Sequence, residues 1–177
     1  MWVRVEVKDL VAQIVLGIDP GSRKTGYGVV QVERQVVTYV GSGCILTGSD
    51  CLAERLLIIL DAVTTLIEQF HPDEMAIEET FLSKNVQSTI KLSEARAVAM
   101  VAGAKAGLPI AEYTPMQIKQ AVVGYGMAEK SQVQFMVQKI LHLSGRPQAD
   151  AADALACAIC HSYTNKVSRI VSQYNHN

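Results

Sequence analysis

Four acidic residues stand where the apolar patterning of this chain leads one to expect hydrophobes. Asp19 closes the run Val15-Leu16-Gly17-Ile18, and Glu78 closes Met75-Ala76-Ile77. Asp150 and Asp153 interrupt an alanine-rich stretch from Ala149 to Ala156, and their i, i+3 spacing puts both on one face of a helix. A carboxylate among apolar neighbours costs free energy unless it is paired or bound to a cation. No matching pattern of basic partners accompanies these four. The combination suggests a carboxylate cage for hard divalent ions, and oxygen-only ligation favours Mg²⁺ or Mn²⁺. Such a cage suits phosphodiester hydrolysis. Two ions roughly 4 Å apart activate a water and stabilise the leaving 3′ oxygen, and no protein nucleophile is required.

Each acid also has a plainer reading. Asp19 before Pro20-Gly21 is equally a turn residue. Glu78 beside Glu79 is equally an exposed strand end. Asp150, soon after Pro147, suits the dipole at a helix N-terminus. Asp153, one turn deeper, is the hardest to explain in such terms. The combination, not any single residue, carries the metal reading.

The elements that must position these acids follow from periodicity. Ile14 to Asp19, ending in Pro20-Gly21-Ser22, predicts a strand and a turn. Val- and Tyr-rich segments over 26–32 and 35–43 predict two more strands, and the short links suggest an antiparallel meander. Leu52, Leu56, Leu57, Leu60, Val63, Leu66, Ile67 and Phe70 recur at helical spacing, ending before Pro72. A strand over 74–79, a helix over 86–105, a strand over 108–113 and helices over 115–122, 130–143 and 149–163 complete the pattern. The tail from Thr164 is polar and predicts fraying. The fold class is α/β: a five-stranded mixed sheet flanked by helices, the layout of the ribonuclease H-like fold. Residues 1–12 look like an N-terminal extension, and 13–177 form a single domain.

Composition sets the class and removes alternatives. The chain has 177 residues, 49% of them hydrophobic and 19% charged, enough for one well-buried core. The aliphatic run Leu56 to Leu60 is far too short to span a bilayer, and the N-terminus carries no signal-peptide stretch. The expected location is the cytoplasm. A net charge of −1 argues against a nucleic-acid binder, although a local basic stripe can serve one. Cys157, Cys160 and His161 spell C-x-x-C-H, formally a haem-attachment motif. Their alanine and isoleucine neighbours favour buried, unreactive thiols instead, with a zinc site the remaining option.

Longer motifs resemble the opening and core of the RuvC resolvases. They begin with Ile14-Val15-Leu16-Gly17-Ile18-Asp19-Pro20-Gly21-Ser22-Arg23 and Thr25-Gly26-Tyr27-Gly28-Val29. They continue through Ala76-Ile77-Glu78-Glu79, Phe81, Lys84-Asn85, Lys119-Gln120, Ala128-Glu129-Lys130-Ser131-Gln132-Val133, and the 147–156 segment with both aspartates. The resemblance covers about residues 13 to 163. It implies a homodimer that binds four-way DNA junctions and makes paired symmetrical nicks during recombination and repair. It places the family's acidic tetrad on Asp19, Glu78, Asp150 and Asp153, with Mg²⁺ as cofactor, Mn²⁺ as substitute, and two ions per site. It matches Phe81 to an aromatic that meets bases at the junction centre, and Lys119 and Lys130 to functional lysines. It also implies the RuvA and RuvB branch-migration proteins as partners. Arg23, Lys24, Lys84 and Lys91 are weaker candidates for phosphate contacts. The small residues of the 86–105 helix suit a dimer contact or packing on its own sheet.

Three rivals remain. Asp19 to Gly26 resembles a phosphate loop of actin-like ATPases, but the chain is too short for their duplicated domain and has no Walker A sequence. A catalytically idle binder is expected to lose one of the acids. Another nuclease of the fold, cutting RNA in hybrids, is separable by its substrate preference.

Overall fold

The computed structural model describes the backbone of residues 12–80 and 85–174, with side chains through residue 165. Ten elements follow in the order β1 (Gln13–Asp19), β2 (Lys24–Glu33), β3 (Val36–Leu46), α1 (Leu52–Phe70), β4 (Glu74–Glu78), α2 (Val86–Lys105), β5 (Ile110–Tyr113), α3 (Pro115–Val123), α4 (Lys130–Ile140) and α5 (Ala149–Tyr174). The strands form one sheet in the order β3-β2-β1-β4-β5. The first three are antiparallel, whereas β1, β4 and β5 run parallel. This is the five-stranded mixed sheet expected from the pattern.

Strand alternation divides the core between the two faces of the sheet. Leu16 and Ile18 of β1 and Met75 and Ile77 of β4 pack against α1 and α2, together with Ile59, Val63, Ala95 and Ala99. Val15, Ala76 and Tyr113 point the other way, into a cluster built by α3, α4 and α5 around Leu155, Ile159, Val122 and Val137. Odd-numbered β1 residues and even-numbered β4 residues therefore face α5. Asp19 and Glu78 inherit that side from their register.

Local chemistry fixes the element ends. Thr114 caps α3 in a reciprocal box with Gln117, with a proline in the first turn, and Gly124 closes the helix at φ 97°. Asn85 accepts from the Ser88 amide at the start of α2. The β2–β3 hairpin turns on Arg34 and Gln35, both at positive φ (46° and 71°), with Glu33 opposite Val36. Two-residue hairpin loops need positive φ to match strand twist, so Gln35 belongs to the turn and not, as the pattern suggested, to the strand.

The largest departure from the sequence reading lies at the C-terminus. Instead of fraying from Thr164, α5 continues to Tyr174. The first polar residues past the apolar stretch have partners. Thr164 donates to the Cys160 carbonyl at 2.9 Å, and Asn165 donates to Glu74 at 2.7 Å. Cys157 and Cys160 are fully buried free thiols, as their apolar neighbours suggested. His161 is buried as well. Its Nδ1 meets the Tyr113 hydroxyl at 2.8 Å and its Nε2 meets Glu74, which ties α5 to β4 and β5.

Candidate active site

The four acids reach one end of the sheet by two routes. Asp19 and Glu78 end adjacent parallel strands, with Ile18 opposite Ile77, so both stand at the C-terminal edge where open α/β sheets leave a crevice. Asp150 and Asp153 come from the first turns of α5, which lies directly on β1 and β2. That approach depends on two positions with no side chain. A Cβ on Gly17 would stand 2.2 Å from the Ala154 carbonyl oxygen, and one on Gly26 would stand 2.0 Å from that of Asp150. Only glycine permits backbone contact this close.

The turn after Asp19 is closed without its help. The Thr25 hydroxyl, fully buried, donates to the Gly21 carbonyl at 2.7 Å and accepts from the Gly21 amide at 3.2 Å. The side chain of Asp19 has no hydrogen bond within this turn among the described residues, so the turn reading does not account for it.

Electrostatics show what the grouping costs. Burial, followed by repulsion from Glu78, Asp153 and Asp150, pushes the Asp19 carboxyl up to about 8; Lys130 opposes the shift. Burial and then Asp153 push Glu78 to about 7, opposed by Lys130 and Lys119. Two lysines lie on the α5 acids. Lys130, at the start of α4, donates to Asp153 at 3.1 Å, and Lys24, at the start of β2, pairs with Asp150. Asp19 and Glu78 are left under-neutralised. Among the described residues no three acidic, His or Cys side chains stand close enough to enclose a metal ion. The donor chemistry nevertheless fits one: four oxygen-only groups, two of them half-buried with carboxyls that the neighbouring lysines do not bring back to their ordinary values.

The remaining candidates are placed unevenly. Lys119 on α3 is half-buried, and its charge reaches Glu78. Arg23 is exposed and pairs with Asp50 at 3.1 Å. Lys91 is exposed on α2, with no ion pair among the described residues. Phe81 and Lys84 lie outside the described residues. The sequence had singled out Lys24 for phosphate and missed its pairing with Asp150, because β2 and the start of α5 are far apart in the chain. It also missed the Tyr113–His161–Glu74 tie; a histidine within an apolar helix was the available signal.

A stability prediction follows for the metal-free protein. The folded-state values of Asp19 and Glu78 lie above their ordinary ones of 3.8 and 4.5, so the native state holds protons that the unfolded chain releases. Their contribution is fully present below about pH 4 and is lost as pH rises through about 7 and 8. In chelator-treated buffer the melting temperature is expected to fall between pH 6 and pH 8.5, and a thermal-denaturation series checks this. Saturating Mg²⁺ is expected to remove most of the fall.

The family model for crossover junction endodeoxyribonuclease RuvC matches residues 15–161. The RuvC of Shewanella loihica is 58% identical over 151 residues, covering 85% of this chain and 87% of its own. That of Pseudoalteromonas atlantica is 58% identical over 153 residues, covering 86% and 88%. Among solved structures, RuvC of Thermus thermophilus in complex with a Holliday junction substrate superposes with TM-score 0.83 at 34% identity, covering 88% of this chain and 96% of that one. A yeast mitochondrial Holliday junction resolvase, with TM-score 0.61 at 13% identity over 90% and 85% of the two chains, shares the fold alone. The expected ribonuclease H-like architecture is therefore the observed one, and the chain belongs to the RuvC family of crossover junction endodeoxyribonucleases.

Proposed function

We propose that this protein is a Holliday junction resolvase, a metal-dependent endonuclease that makes paired symmetrical nicks in four-way DNA junctions during recombination and repair. The observation that carries the reading is the placing of Glu78, Asp150 and Asp153 within electrostatic reach of Asp19 at one sheet edge, in a chain of this family. Residues 13–177 act as a single nuclease domain and residues 1–12 as an extension. The working form is a cytoplasmic homodimer, and RuvA and RuvB are its partners. No helix among the described residues is long and apolar enough to cross a membrane.

The four carboxylates are the ligands for Mg²⁺, or Mn²⁺ in its place, two per site. Bound divalent ions supply Lewis acidity for the charge that builds on the phosphate oxygens and activate the attacking water. The protein's part is positioning and electrostatics. Asp19 and Glu78, fixed by adjacent strands, hold their charges at the sheet edge. Asp150 and Asp153 hold theirs on one helix face. Lys130, exposed and within reach of Asp153, is placed to steady the scissile phosphate, and Lys119 adds positive charge beside Glu78. Arg23, Lys84 and Lys91 contact DNA phosphates, and Phe81 meets unpaired bases at the junction centre.

Lys130→Met is expected to lower the single-turnover cleavage rate about a hundredfold while junction affinity changes only a few-fold, because the lost charge acts mainly in the transition state. Gel-resolved single-turnover kinetics beside a binding titration check this. The substrate assignment is tested with wild-type protein on a synthetic four-way junction, linear duplex and an RNA–DNA hybrid. Preferential cutting of the junction supports the resolvase reading. Faster cutting of the hybrid, or equal cutting of all three, overturns it.

A further inference from the structure

Lys24 has a place in the site that the tetrad does not explain. It is the first residue of β2, held in register opposite Leu46 of β3, and its ammonium pairs with the carboxylate of Asp150. Its origin differs from that of Lys130, which comes from α4 to Asp153. The two partners are only partly covered, with side chains 41% and 29% exposed, so the contact can open without unpacking the core. Nearby, the Cys44 thiol reaches the Gln148 side chain at 3.5 Å and adds no charge to hold the lysine. Asp150 is thus already occupied by a positive group tied to the protein.

We propose that Lys24 is a tethered cation that holds the Asp150 carboxylate until a divalent ion displaces it, and that it thereby lowers the metal affinity of the site. The inference rests on the four carboxylates being the divalent-cation site. A single charge and a divalent ion cannot both sit at contact distance from one carboxylate without strong mutual repulsion. Lys24 meets one oxygen of Asp150, and whether the ion displaces it there or takes the other oxygen, the lysine charge opposes metal entry. A partly exposed pair of this kind is weak enough to exchange, which lets the site load while still charging a penalty for doing so.

The test is Mn²⁺ binding by titration calorimetry on the full chain without DNA, comparing wild type, Lys24→Met, Lys24→Arg and Asp19→Asn. Methionine keeps the length of the side chain and removes the charge; arginine keeps the charge. Lys24 lies at an exposed strand start, so both variants are expected to fold, and circular dichroism verifies it. The expected result is Mn²⁺ bound about threefold or more tightly by Lys24→Met, with Lys24→Arg close to wild type. Unchanged or weaker binding in Lys24→Met, or an equal gain in Lys24→Arg, overturns the role of Lys24. If Asp19→Asn still loses Mn²⁺ binding in that case, the carboxylate site itself stands. No binding by wild type, or undiminished binding by Asp19→Asn, overturns the site and this inference together.

Discussion

Asp19→Asn is expected to reduce junction cleavage by about a thousandfold or more and, at the same time, to make the metal-free protein more stable at pH 8. The two effects share one cause. Asp19 is half-buried beside Glu78, Asp153 and Asp150, and its carboxyl is pushed from an ordinary 3.8 to about 8. Each unit of such a shift corresponds to about 1.4 kcal/mol. Solvent and local relaxation recover much of the sum, so the neutral isostere is expected to add about 2 kcal/mol at pH 8, which raises the melting temperature by roughly 4–8 °C for a chain of this size. The gain shrinks towards pH 5, where the aspartate itself is protonated in the folded state. Cleavage is lost because asparagine brings no negative charge to hold a cation. Chemical denaturation at two pH values beside a junction assay measures both. A variant that is less stable and inactive would mean that Asp19 serves the fold and not the chemistry.

The second large effect is expected at Gly26. Even a methyl group there would stand 2.0 Å from the Asp150 carbonyl oxygen and 2.6 Å from the carbonyl carbon. Both atoms are backbone, so the start of α5 must move. Gly26→Ala is expected to cost about 3 kcal/mol, at the upper end of typical overpacking. Cleavage is expected to fall about a hundredfold in molecules that remain folded, since a displacement near 1 Å at a catalytic group has that effect. Gly145→Ala is the control, because nothing lies within 4 Å of its added Cβ and its activity should hold. Urea denaturation curves and cleavage rates measured well below the unfolding midpoint separate the two losses. Full activity in Gly26→Ala would show that the position of α5 is not set by this contact.

How much of this was legible in the sequence depends on how local the controlling physics is. The strands and helices announced themselves through the unbroken apolar run Val15 to Ile18, whose strand is covered on both faces, and through helical spacing from Leu52 to Phe70, whose helix buries one face. The four acids were legible for the converse reason: they break those patterns. Their meeting point was harder. It depends on parallel pairing of β1 with β4 and on α5 lying across β1 and β2, and Gly17 and Gly26 carry no mark that distinguishes close approach from a turn. The Lys24–Asp150 pair joins residues at opposite ends of the domain, and its geometry exists only once the sheet has formed. The end of α5 was misread because Thr164 and Asn165 are polar. Their partners, Cys160 and Glu74, become visible only in three dimensions. Gln35 shows the same limit at short range: strand and turn differ there by a positive φ that its neighbours do not dictate.

The central claim is that four carboxylates gathered at one sheet edge use divalent ions to cut a four-way junction symmetrically. The most direct measurement is strand-by-strand mapping of the products from a junction labelled in turn on each of its four strands, with Mg²⁺ and with chelator. The account predicts cuts at matching positions in two opposing strands, present with Mg²⁺, absent with chelator and absent in Asp19→Asn. Cuts that persist in chelator, or that survive in Asp19→Asn, would contradict it.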